Sequence, residues 1–124
     1  MIVLLDSDVL IEALRGRNQE ISAKWTALSR TDSPVMYTPI TEAELWAGAR
    51  SPEFEALNEL FQTLVCIPID REVGRLAGAY LRQYRKSHGV QLADALIAAS
   101  AVINDALLWT RNRKHYPMSE LLFY

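Results

Sequence analysis

The sequence IVLLDSD (residues 2–8) decides how the fold of this 124-residue chain is interpreted. Its four apolar residues, β-branched at the start, are typical of a strand that is buried on both faces of a parallel sheet. Two carboxylates, Asp6 and Asp8, follow this strand directly. Because open α/β sheets bind their ligands beyond the carboxyl ends of the strands, these acids mark the place where a functional crevice is expected.

Strand-like apolar segments alternate with helix-like segments along the whole chain. This alternation predicts an α/β protein with an open, mostly parallel sheet of four or five strands and helices on both faces. No linker or repeat interrupts the pattern, so residues 1–124 are expected to form a single domain. Strands are predicted at residues 2–5, 35–37, 64–69 and 106–109, with a fifth at residues 121–123. Helices are predicted up to residue 15 and at residues 19–30, 41–48, 54–63, 70–85 and 92–103.

The overall composition limits the function classes. The formal net charge is −2, so any nucleic-acid site has to be local. The single cysteine, Cys66, lies in an apolar stretch, where we expect it to be buried and unreactive, and its isolation is typical of a reducing compartment. No apolar run approaches the roughly 20 residues that span a bilayer. We therefore expect a soluble, cytoplasmic protein that does not enter a membrane.

Asp94 is the most informative acid. It lies in the helical segment LADALIAASAVI (residues 92–103), in which Asp94 and Ser100 are the only polar residues. A carboxylate on such a buried helix is costly to desolvate unless a cation or strong donors compensate. The helix dipole explains an acid in the first turn but not an acid among core residues. We therefore favour a functional role for Asp94.

Helix capping is the competing explanation for the other acids. Ser7 or Asp8 can cap the first helix alone and leave Asp6 to face the crevice, whereas Asp8 fits a cap and a supporting acid equally well. Glu44 lies three residues after Thr41, and this spacing matches a capping box. On the local pattern alone, Glu44 is predicted to be structural.

The segment LLWTRNRKHY (residues 107–116) repeats the opening pattern, a strand followed by polar side chains. Thr110 and Asn112 occupy the positions where a crevice residue is expected. This segment also contains a cluster of basic residues, and a cluster of this kind is usually just a solvent-exposed surface. Beside an acidic crevice the same cluster would hold phosphates while the acids hold a metal ion. The basic residues concerned are Arg111, Arg113 and Lys114.

Several carboxylates at one crevice repel each other, and some take up protons unless a cation joins them. Oxygen ligands select Mg²⁺ or Mn²⁺ rather than zinc. Such an ion suits phosphodiester hydrolysis, because it lowers the pKa of a bound water and offsets charge on the leaving oxygen. A structural cation site and a phosphotransfer centre are the alternatives for the same cluster.

Four segments together resemble the PIN-domain ribonucleases in their order and spacing. The resemblance covers essentially the whole chain and is greatest to the VapC-type toxins of bacterial and archaeal toxin–antitoxin pairs. The segments are LLDSDVLI (residues 4–11), TEAELWAG (residues 41–48), LADALIAASAVI (residues 92–103) and LLWTRNRKHY (residues 107–116).

The resemblance implies a set of site residues. Asp6, Glu44 and Asp94 correspond to the metal-binding acids, which reverses the capping interpretation of Glu44. Asn112 corresponds to a fourth catalytic position, where many members of the family carry an acid. This difference argues against a fully formed second metal site and leaves one ion and two ions as open alternatives. Asp8 and Thr110 are expected to support the metal-binding acids, and Asp8 to compensate in part for Asn112.

The resemblance also implies an activity and partners. Proteins of this kind cut RNA with Mg²⁺ or Mn²⁺, form homodimers and are silenced by an antitoxin protein that lies along a groove of the toxin. A haloacid-dehalogenase-like phosphatase is one alternative, in which Asp6 would be the nucleophile, but it needs an acid pair where Thr110 and Asn112 stand. A non-catalytic PIN-like module that binds RNA or protein is the other alternative, and the presence of three acids argues against it.

Overall fold

The computed structural model describes all residues, 1–124, and its centre is a four-stranded parallel sheet. The strands are β1 (Ile2–Leu5), β2 (Val35–Tyr37), β3 (Val65–Cys66) and β4 (Ala106–Trp109), in the order β3-β2-β1-β4. β1 is central and pairs in parallel with both β2 and β4. The predicted α/β fold with a parallel sheet is confirmed.

Six α-helices cover both faces of this sheet. The alternating side chains of β1 show the division, because Leu4 packs into one apolar cluster while Val3 and Leu5 pack into another. The first cluster includes α5 and α6, and the second includes residues of α1 to α4. The helices are α1 (Ser7–Arg15), α2 (Gln19–Ser29), α3 (Pro39–Gly48), α4 (Phe54–Thr63), α5 (Arg71–His88) and α6 (Leu92–Ile103). None of them has the length and apolar composition needed to cross a membrane.

Two strand predictions need correction. The fifth strand predicted at residues 121–123 is wrong, because this segment makes only one isolated bridge, between Leu108 and Phe123. The strand predicted at residues 64–69 is shorter than expected. Ile67 still donates its amide to Tyr37, but the following Pro68 has no N–H with which to continue the ladder.

The boundaries of two helices also differ from the prediction. α3 begins at Pro39, two residues before the predicted start at Thr41, because proline suits the first turn of a helix. α5 continues to His88 rather than residue 85 and ends at Gly89, whose φ of 65° lies in the left-handed region.

Cys66 is exposed, so the prediction that it is buried is wrong. It lies on β3, a strand of only two residues at the edge of the sheet, and both residues of this strand are exposed. An apolar stretch in the sequence predicts a strand, but it does not predict whether that strand is covered.

Candidate active site

Asp6 lies at the carboxyl end of β1 and accepts three hydrogen bonds. Its Oδ1 accepts from the backbone N of Ser7 at 2.8 Å, which caps α1. Its Oδ2 accepts from the hydroxyls of Thr110 and Tyr116, both at 2.8 Å. The residue is only 9% exposed. The prediction that Ser7 or Asp8 caps α1 is therefore wrong, because Asp6 itself is the cap as well as a crevice residue, and its carboxylate is held in one orientation.

Tyr116 is a site residue that the sequence interpretation missed. Its side chain is buried, and its hydroxyl donates to Asp6 from a residue 110 positions along the chain. Burial is the main cause of a raised pKa for Tyr116, followed by the negative charge of Asp6 and smaller contributions from Asp94 and Asp8. The hydroxyl therefore stays protonated and acts as a donor. A tyrosine that ends a basic segment carries no local signal of this role.

Glu44 is joined to the end of β1 through Ser7. The Ser7 hydroxyl donates to Oε1 of Glu44 at 2.8 Å and lies 3.3 Å from the hydroxyl of Thr41. The capping box predicted from Thr41 and Glu44 is wrong, because Thr38 is the N-cap of α3 and Glu44 lies well inside the helix. The local spacing was misleading because α3 starts earlier than predicted.

Asp94 lies in the first turn of α6, where its Oδ2 accepts from the backbone N of Gln91 at 3.1 Å. The side chain is half-buried rather than enclosed in the core. The prediction from sequence that Asp94 is enclosed in the core is therefore wrong. Asp94 instead takes part in a capping box at the start of α6. Its charge nevertheless contributes to the raised pKa of Tyr116, which contacts Asp6. The start of α6 thus lies within electrostatic range of the Asp6 site.

Asn112 is hydrogen-bonded to Asp8, which lies two residues after Asp6. The side-chain amide of Asn112 donates to Oδ2 of Asp8 at 2.8 Å, and the backbone N of Arg111 donates to the same oxygen at 3.2 Å. Oδ1 of Asp8 is buried and has no hydrogen-bond partner. Asn112 therefore orients Asp8, and one oxygen of Asp8 is left available to a ligand.

Burial, with a smaller contribution from the charge of Asp6, raises the pKa of Asp8 from 3.8 to about 6. The folded state then binds a proton more readily than the unfolded state. The contribution of Asp8 to the free energy of unfolding should therefore fall as pH rises from about 4 to about 6 and stay lower above that range.

We expect Asp8→Asn to remove this dependence. As pH rises from about 4 to about 7, the free energy of unfolding of the variant should increase relative to that of wild type by on the order of 1–2 kcal/mol. The difference is reduced because Asp8 is partly exposed to solvent. Thermal unfolding across this pH range measures the gain, with Asp32→Asn on the exposed surface as the control. Parallel profiles for wild type and Asp8→Asn would contradict the prediction.

The acids do not form a closed metal site as they stand. No group of three His, Cys, Asp or Glu side chains is close enough to hold a metal ion. The donor set nevertheless fits a hard cation, because Asp6, Glu44 and Asp94 offer only oxygen and Oδ1 of Asp8 lacks a partner. Carboxylates without a cation repel one another, which is consistent with their separation.

The basic cluster lies on the surface beside Asp8. Arg111 is exposed and is 3.5 Å from Glu12, so part of its charge is offset. The guanidinium of Arg113 lies 4.8 Å from the ring centre of Phe123, and Lys114 is exposed without an ion pair. Of the three, Lys114 has the freest charge.

A groove next to Glu44 is lined mainly by apolar side chains. It has a volume of about 320 Å³ and runs between α1, α3 and the start of α4. Ile11, Leu14 and Leu57 form part of its wall, and its charged lining residues are Arg15, Glu44 and Glu53. The groove therefore combines an apolar surface with a carboxylate of the site.

Comparisons with known proteins identify the family to which this fold belongs. Residues 3–121 match the family model of the PIN domain. Ribonuclease VapC10 of Mycobacterium tuberculosis is 38% identical over 122 residues, which cover 97% of this chain and 90% of that protein. The structure of VapBC-1 from nontypeable Haemophilus influenzae is similar with a TM-score of 0.81 at 22% identity, covering 100% of this chain and 97% of that chain. A toxin-antitoxin complex from Klebsiella pneumoniae is similar with a TM-score of 0.74 at 24% identity, covering 97% and 95%.

Proposed function

The chain belongs to the PIN-domain family, and within it to the VapC group, and we propose that it is a metal-dependent endoribonuclease that acts as the toxin of a toxin–antitoxin pair. The observation that carries this proposal is the Ser7 hydrogen bond, which connects the buried Asp6 turn at the end of β1 to Glu44 on α3. Asp94 lies at the start of a third element, α6. The three acids therefore come from three segments that are distant in the sequence, and we infer that they act together.

Mg²⁺ or Mn²⁺ would be held by Asp6, Glu44 and Asp94, with Oδ1 of Asp8 as a further oxygen. Such an ion supplies a water of lowered pKa and offsets charge on the phosphate. Asn112 donates its amide to Asp8 and so offers no carboxylate of its own. This arrangement favours one ion rather than two.

The protein's other site residues hold these acids in place. Thr110 and Tyr116 donate to the same oxygen of Asp6 and restrict its rotation. Ser7 does the same for Glu44. Precise placement of charged ligands matters, because an ion and its water have to be aligned with the phosphate.

The substrate is RNA, whose phosphates would be held by the exposed cluster of Arg111, Arg113 and Lys114 beside Asp8. Cations that contact phosphates position a nucleic acid without reading its sequence. This arrangement supports a substrate that is held by its sugar–phosphate backbone rather than by its bases.

The proposed protein partner is an antitoxin, which would occupy the groove beside Glu44. The groove accepts a segment with an apolar face, and the excess of acids in its lining, Glu44 and Glu53 against Arg15, favours a cation on that segment. The similar structure from Klebsiella pneumoniae is a toxin-antitoxin complex, and this bears on the class of partner. A homodimer is part of the same proposal and rests on the resemblance to the VapC-type toxins. A cytoplasmic location is proposed because the free thiol of Cys66 suits a reducing compartment.

The function is tested by offering purified protein two substrates, total RNA and a small phosphate ester. We expect internal cleavage of RNA and no release of phosphate from the ester. Release of phosphate with intact RNA would identify a phosphatase instead. Binding of RNA without either reaction would identify a non-catalytic module.

A further inference from the structure

The exposed side of α5 carries five cations. The buried residues Val73, Ala77 and Tyr80 lie on the opposite side of this helix. At 3.6 residues per turn, the cations fall within an arc of about 100° and extend along about 22 Å of the helix. We call this surface the basic face of α5, and it consists of Arg71, Arg75, Arg82, Arg85 and Lys86, all exposed.

None of these cations is paired. The ion pairs of the protein involve Arg17, Arg50 and Arg111, and none involves α5. The only acid on α5 is Glu72, so the helix has a formal charge of +4 within a chain whose net charge is −2, and the other residues together carry −6. An ordinary solvated helix mixes charges of both signs, so a face of one sign is unusual.

Helix stability does not explain the basic face. Cations in the last turn, such as Arg85 and Lys86, complement the negative end of the helix dipole. Arg71, in contrast, is the first residue of α5, where the dipole disfavours a positive charge. The face therefore extends over a region in which it has no stabilising role.

The basic face is connected to the candidate active site at its C-terminal end. Residues 89–91 join α5 to α6, and the backbone N of Gln91 donates to Asp94. Arg85 and Lys86 are therefore at the end of α5 that leads into the turn held by Asp94. From there the face extends away along the length of α5.

We propose that the basic face of α5 binds the sugar–phosphate backbone of RNA outside the crevice, so that the protein holds a substrate longer than the segment it cleaves. This inference rests on the proposed function. Guanidinium groups bind phosphates with two parallel hydrogen bonds, and phosphates recur along the entire length of an RNA strand. A row of unpaired cations about 22 Å long therefore suits a partner with repeated phosphates better than a partner with a single acidic group.

The test compares Arg75→Gln/Arg82→Gln with the control Arg30→Gln/Arg50→Gln, which changes the net charge equally at exposed positions outside α5. We measure kcat and KM at several salt concentrations for two substrates. One is a long hairpin RNA, and the other is a short oligonucleotide that fills only the crevice. For the hairpin, we expect KM of the α5 variant to rise about tenfold and the salt slope of log(kcat/KM) to fall by about 1.5, since each phosphate contact contributes about 0.7–0.9. Restoring the charge with Arg75→Lys/Arg82→Lys should recover most of the effect.

The outcomes separate this inference from the proposed function. If wild type cleaves the hairpin and the α5 variant matches the control in KM and salt slope, the basic face does not bind RNA, while the ribonuclease function stands. The same result with lost binding of a protein partner would assign the face to that partner and also overturn the inference. If wild type cleaves neither RNA, both proposals fail. Unchanged thermal unfolding of the α5 variant excludes a folding defect, since Arg75 and Arg82 make no ion pairs, and the control loses only the exposed ion pair between Arg50 and Glu53.

Discussion

Asp94→Asn is expected to lower the rate of RNA cleavage by about 100-fold or more and to leave the thermal unfolding midpoint within about 2 °C of wild type. The substitution removes the negative charge that Asp94 would offer to the metal ion. It keeps an oxygen that can accept the amide of Gln91, which is the one hydrogen bond this carboxylate makes. Activity and stability therefore separate at this position. Gel analysis of the RNA products and calorimetry measure the two effects.

Asp70→Asn is the matched control for Asp94→Asn. Asp70 also caps a helix by accepting a backbone amide, that of Val73 at the start of α5, and its replacement removes the same charge. Its cleavage rate should stay within twofold of wild type, a difference of less than about 0.5 kcal/mol in activation free energy. Wild-type cleavage by Asp94→Asn would remove this acid from the mechanism.

Asp6→Asn is a less informative variant because Asp6 accepts three hydrogen bonds. An asparagine that keeps its oxygen on the amide of Ser7 directs its NH₂ group at the hydroxyls of Thr110 and Tyr116, which then have to accept a hydrogen bond instead of donating one. The buried mismatch is expected to cost about 1–3 kcal/mol of stability. Loss of activity in this variant would therefore mix a chemical effect with a structural one.

Removal of divalent cations is the second change with a large expected effect. Treatment with EDTA should reduce RNA cleavage to background, and Mg²⁺ or Mn²⁺ should restore it, because the candidate ligands are all oxygen atoms. An independent readout is stability, since an ion that binds only the folded state at about 100 times its Kd adds about 2.7 kcal/mol. Mg²⁺ should raise the unfolding midpoint of wild type by several degrees and that of Asp94→Asn much less.

Two results would contradict the metal prediction. Full activity in EDTA would show that the carboxylates act without a cation. A gain in stability from Mg²⁺ that is equal in wild type and Asp94→Asn would show that the ion binds elsewhere. Asp70→Asn, which keeps all the candidate ligands, should respond to Mg²⁺ as wild type does.

Local sequence patterns predicted an element correctly where the spacing of its apolar residues specifies which face is buried. The apolar run of β1 and the helical spacing of α5 both predicted the element correctly, because burial of one face is encoded by repeated residues. The same patterns failed at β3 and Cys66, since the position of a strand at the sheet edge depends on the other strands.

A buried strand followed directly by Asp6 and Asp8 is enough to predict that β1 delivers acids to the carboxyl end of a parallel sheet. The contacts of each acid, in contrast, follow only from how the folded chain packs. Glu44 meets Ser7 across 37 residues, and Tyr116 meets Asp6 across 110. Hydrogen bonds between such distant residues depend on how helices pack against strands, and no short stretch of sequence contains that information.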